Sequence, residues 1–92
     1  MQKDVLVELV ADACGGKKPK NSVFELSEED KASLLLDTEG SHMAIDGLTR
    51  LEVKEGYVVA HAARDAVYLV ALERVLGLRL LRARRDSPGF HA

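Results

Sequence analysis

Five arginines, Arg74, Arg79, Arg82, Arg84 and Arg85, fall within twelve residues near the end of a 92-residue chain. Guanidinium groups pair with phosphate oxygens bidentately, so a helix carrying five of them has the chemistry of a nucleic-acid contact. Three features oppose that use. Glu73 and Asp86 flank the cluster, and no aromatic side chain is interleaved with it for base stacking. The chain as a whole carries a formal charge of −2, against the basic balance that nucleic-acid binding calls for. Nucleic acid is therefore the alternative partner, and pairing of these arginines with the acidic first segment of the chain the first expectation.

The remaining reactive residues are dispersed. Cys14 is the single cysteine, which rules out an internal disulfide and a cysteine-based zinc site and points to a small apolar residue on a helix. Of His42, His61 and His91, only His61 lies in a strongly patterned stretch, and one imidazole makes no metal centre. Glu28, Glu29 and Asp30 follow Ser27, where carboxylates serve a helix N-terminus better than acid/base chemistry. Gly15-Gly16-Lys17-Lys18 has the composition of a phosphate loop but lacks the Ser or Thr that would reach magnesium, and Pro19 follows at once; it reads as a helix stop. No catalytic residue, cofactor site or metal site is expected, and the chain is read as non-enzymatic.

What must position these side chains follows from periodicity. Val5, Leu6, Leu9, Val10 and Ala13 recur at helical spacing between Asp4 and the two glycines, predicting a short amphipathic helix. Ser27 with Asp30 three residues later predicts the start of a second helix through Leu34 and Leu35, and Val23–Leu26 alternates as a short strand before it. From Leu48 onward, period-two patterning, the Glu55-Gly56 turn and the Arg64-Asp65 break predict an antiparallel meander of about three strands over 48–72. Residues 73–85 hold good helix formers with a leucine stripe, predicting a C-terminal helix; one helix over 65–85 is the rival reading. The fold class expected is thus α+β, a small meander packed with two N-terminal helices and a C-terminal one.

Mid-chain, Gly40-Ser41-His42-Met43 reads like the remnant of a cleaved expression tag, joining an upstream piece to a gene that begins near Ala44. Basic-residue usage changes there: residues 1–39 hold five lysines and no arginine, residues 44–92 seven arginines and Lys54 alone. Residues 1–39 then form a helical segment from a different source, 40–43 a scar or linker, and 44–92 a meander plus helix sharing one core with the first piece, because neither length suffices alone. Charge is complementary as well, with ten acidic and five basic residues in 1–46 against five and eight in 47–92. The 47% apolar content excludes wholesale disorder, no apolar run reaches the roughly 18 residues of a membrane span, and no secretory leader is visible, so a cytoplasmic, membrane-free setting is expected.

EGYVVAHAARDAVYLVALERVLGLRLLRARR, residues 55–85, resembles the closing part of a Roadblock/LC7 domain, in which a glycine-aromatic strand, a second apolar strand and an arginine-containing last helix follow in order. If KASLLLDTEGSHMAI stands for the first hairpin of that family, its middle helix has no counterpart before Leu48. The resemblance implies homodimerisation through a helix and a sheet edge, and regulation of small GTPases or motor cargo.

Together these readings point to a protein–protein interaction or oligomerisation module, in the form of a fusion of a partner segment to a small domain. Its interface candidates are Tyr57, Val59, His61, Val67, Leu69 and Leu72, and a homodimer is the expected state because a short meander leaves an open edge. The alternatives are a nucleic-acid binder using the C-terminal arginines and an artificial chimera selected for folding.

Overall fold

The computed structural model describes residues 1–16 and 18–81. Helix α1, Lys3–Ala13, opens with Asp4 in its first turn and turns Leu6 and Val10, one helical repeat apart, into the core. It ends where the two glycines demand. The Gly16 N–H reaches the Ala11 carbonyl at 2.6 Å and the Gly15 N–H the Asp12 carbonyl at 3.4 Å, the paired bonds of a Schellman stop. Both glycines sit at left-handed φ, 88° and 90°.

Seven strands follow among the described residues: β1 (Val23–Glu25), β2 (Ser33–Thr38), β3 (Ser41–Ile45), β4 (Leu48–Val53), β5 (Tyr57–Ala62), β6 (Ala66–Ala71) and β7 (Val75–Arg79). They form two antiparallel sheets, one ordered β1-β4-β5-β6 and the other β3-β2-β7. Helix α1 touches β4 of the first and β7 of the second, bridging them. One core is drawn from the helix and both sheets, with Leu6, Leu34, Leu48, Leu51 and Val58 fully buried.

This architecture corrects the expected α+β class: the chain is mostly β, with one short helix among the described residues. The second helix is replaced by a single 3₁₀ turn, Glu28–Asp30, whose N-cap Ser27 accepts from the Glu29 N–H at 3.2 Å. Lys31 at φ 46° then turns the chain out of helical geometry. Leu34-Leu35-Leu36 fits a helix or a covered strand equally well; here it lies in the central strand of its sheet, with Leu34 and Leu36 buried and Leu35 half-buried. The C-terminal helix is likewise absent over residues 72–79, where a 3₁₀ turn (Leu72–Arg74) leads into β7. Here Gly77, unfavourable in a helix, lies opposite Leu35, and pairing with β2 overrides the helical propensity of its neighbours. The rival helix over 65–85 falls with it, since Ala66–Ala71 is strand β6. Residues 82–85 lie outside the described residues.

Gly40-Ser41-His42-Met43 is part of a hairpin. Thr38 lies opposite Ser41, Asp37 opposite His42 and Leu36 opposite Met43, with Glu39-Gly40 as the two-residue turn. Gly40 takes φ 79°, a conformation that a residue with a Cβ adopts only under strain. Each sheet contains strands from both sides of this tetrapeptide: β1 pairs with β4, and β2 with β3 and β7.

Candidate interaction surface

Alternation along β5 decides what the four-stranded sheet presents. Val58, Ala60 and Ala62 face the core, so Tyr57, Val59 and His61 face outward. Cross-strand register extends this outer face into rows. One row runs Glu25, Arg50, His61, Val67 across β1, β4, β5 and β6; the next runs Val23, Glu52, Val59, Leu69; a third sets Tyr57 opposite Ala71. Five of the six predicted interface residues thus lie together on one face. Leu72 does not: it is 6% exposed and belongs to the core, because the 3₁₀ turn after β6 folds it inward.

The face is divided chemically. On the β1–β4 side, Arg50 Nε lies 2.8 Å from Glu25 Oε2, while Glu52 is held by His61 Nε2 at 2.7 Å and Lys54 Nζ at 3.6 Å. The hydrogen bond from His61 outweighs the opposing effect of burial and, with a further contribution from the charge of Lys54, draws the Glu52 carboxyl below the usual carboxylate range. On the β5–β6 side the large exposed residues are Tyr57 at 45%, Val67 at 54% and Leu69 at 71%. Tyr68, on the opposite face of β6, is 41% exposed too, since β6 is only partly covered from within.

Among the described residues, β6 is an edge strand, with β5 on one side. Its sequence, Ala-Val-Tyr-Leu-Val-Ala, contains none of the charges or prolines with which soluble proteins protect such edges. Beside it, a cleft of about 400 Å³ opens between Leu69, Val70 and Ala71 on β6 and Leu36 to Glu39 of the β2–β3 hairpin.

The predicted nucleic-acid contacts are not brought together among the described residues. Arg79, on β7, lies 3.4 Å from both Asp46 Oδ1 and Ser33 Oγ, whereas Arg74 sits in the exposed turn after β6. Arg82, Arg84 and Arg85 lie outside the described residues. Cys14 caps α1, half-buried, with its Sγ 3.8 Å from the Glu25 carbonyl. No group of three His, Cys, Asp or Glu side chains suited to a metal ion occurs among the described residues, and no helix among them is long and apolar enough to cross a membrane.

Two features escape sequence reasoning. Tyr68 has the pattern of an inward residue and is nonetheless 41% exposed, between half-buried Ala66 and Val70 on the inner face of β6. The contact of Ser33, Asp46 and Arg79 joins three strand ends separated by 13 and 33 residues, with no local signal. Comparison of the chain with protein-family models, curated proteins and solved structures finds no match.

Proposed function

We propose that this chain is a non-enzymatic self-association module, in which β6 pairs antiparallel with β6 of a second copy and continues the four-stranded sheet across a two-fold axis. The observation that carries this reading is the uncharged edge strand with Val67 and Leu69 more than half exposed. Unpaired backbone groups along such an edge are satisfied by another strand, and exposed aliphatic side chains beside them gain from leaving water.

Symmetry restricts the register. Two identical antiparallel strands related by a two-fold axis perpendicular to the sheet must place residues of the same face opposite each other. An axis through Tyr68 puts Val67 opposite Leu69 of the second copy, and Leu69 opposite its Val67. The two most exposed side chains of the outer face thereby cover each other, with Tyr57 and Val59 flanking the contact.

Light scattering over a concentration series tests the proposal. A dimeric mass is expected for the parent chain, and a monomeric one for Leu69→Lys, whose ammonium would be desolvated at the contact. A monomeric mass for the parent throughout the series would overturn it. A dimer that survives Leu69→Lys but not Val59→Lys would move the interface from the strand edge to the sheet face.

A further inference from the structure

A second place in the molecule has the construction of a ligand site, and it lies away from β6. The start of β2, the β3–β4 corner, the β5–β6 turn and the end of β7 converge around a cleft of about 480 Å³. That volume falls within the range of roughly 300–1,000 Å³ typical of small-molecule sites. Its walls are tied together by backbone bonds between segments distant in sequence. The Leu48 N–H donates to Ala32 O at 3.1 Å, the Ala63 N–H to Gly47 O at 3.0 Å, and the Leu81 N–H to Asp30 O at 2.9 Å. The cleft is therefore held open by the fold itself.

Its chemistry is two-sided. Buried Leu48 and exposed Ala63 and Leu81 supply apolar surface, and Leu81, at 55% exposure, has half its side chain left to cover. On the polar side, Ser33, only 2% exposed, donates its hydroxyl to Asp46 Oδ1 at 2.6 Å, and Arg79 approaches the same carboxylate. Asp46 is thus answered by two donors. Arg79 spends only Nη2 on Asp46 and Ser33, both at 3.4 Å, so its other N–H donors are not used in those contacts. Lys31 adds a second cation to the lining, and Glu28 an acid that disfavours a dianion.

We propose that this cleft binds a small organic monocarboxylate, its carboxylate on the Arg79 fork and its apolar body against Leu48, Ala63 and Leu81. A planar two-oxygen anion matches a guanidinium bidentately, and a single such fork suits a monoanion better than a phosphate.

Amide chemical shifts of the full chain, followed by NMR during titration with sodium hexanoate, decide the matter. Saturable shifts centred on Leu48, Ala63 and Leu81 are expected, with binding weakened about tenfold by Arg79→Met, the ratio one charge-assisted hydrogen bond supplies. Hexanol and inorganic phosphate should each bind more weakly than hexanoate. Ala63→Phe, which fills the cleft from an exposed position, should abolish the shifts and carries the test if Arg79→Met fails to fold. Equal binding by Arg79→Met, hexanol or phosphate as tight as hexanoate, or shifts centred on the outward residues of β5 and β6 would overturn the proposal.

Discussion

His61 on β5 reaches diagonally across to β4 and places its Nε2 2.7 Å from Oε2 of Glu52, at the boundary between the charged and apolar halves of the outer face. Neither residue is fully exposed, so the contact occupies both side chains just where the surface changes character.

A pH dependence follows from its sign. The Glu52 carboxyl is drawn below its ordinary value, chiefly by this hydrogen bond, so the folded state favours the ionised form. The resulting stability is fully present above the ordinary carboxylate range of the unfolded chain and is lost as pH falls through the lowered folded-state value. Urea unfolding at a series of pH values should show parent and Glu52→Gln chains differing most at neutral pH and converging in acid. A difference that stays constant across the series would mean that the contact does not act through ionisation. The Lys3–Glu55 pair shifts Glu55 in the same direction, so some acid sensitivity should persist in Glu52→Gln.

The β5–β6 turn invites stabilisation. Arg64 and Asp65 both take left-handed φ, 65° and 60°, the consecutive pair that a type I′ turn requires and that Asn-Gly supplies with least strain. The double replacement Arg64→Asn with Asp65→Gly should raise stability by about 1 kcal/mol, measured by thermal or urea unfolding. A fall in stability would show that the parent side chains make contacts outweighing their backbone strain.

Leu34 tests whether both sheets depend on one core. It is fully buried on β2, opposite Ile45 on β3 and Leu78 on β7. Leu34→Ala should cost about 2–5 kcal/mol and should destabilise β4 and β5 together with β2, as read from amide hydrogen exchange. Loss of protection confined to β2, β3 and β7 would mean that the sheets unfold separately.

The local signals are the ones legible in the sequence. The spacing of Leu6 and Val10 before Gly15-Gly16 specifies α1 and its stop, because the hydrogen bonds involved join residues no more than five apart. Alternation in 57–62 likewise gives β5 an inner and an outer face, and with it the shared outward placement of Tyr57, Val59 and His61. Tertiary structure decided the rest. Leu34-Leu35-Leu36 and Val75–Arg79 are strands because they pair with each other across some forty residues, a long-range gain that overrides a capping serine and a leucine stripe. Leu72 is buried because a 3₁₀ turn follows β6, and Tyr68 is exposed although its place in the alternation is an inward one. Ser33, Asp46 and Arg79 meet only after the three strand ends that carry them converge, since side-chain chemistry at that distance in sequence is set by the path of the backbone and not by any local spacing.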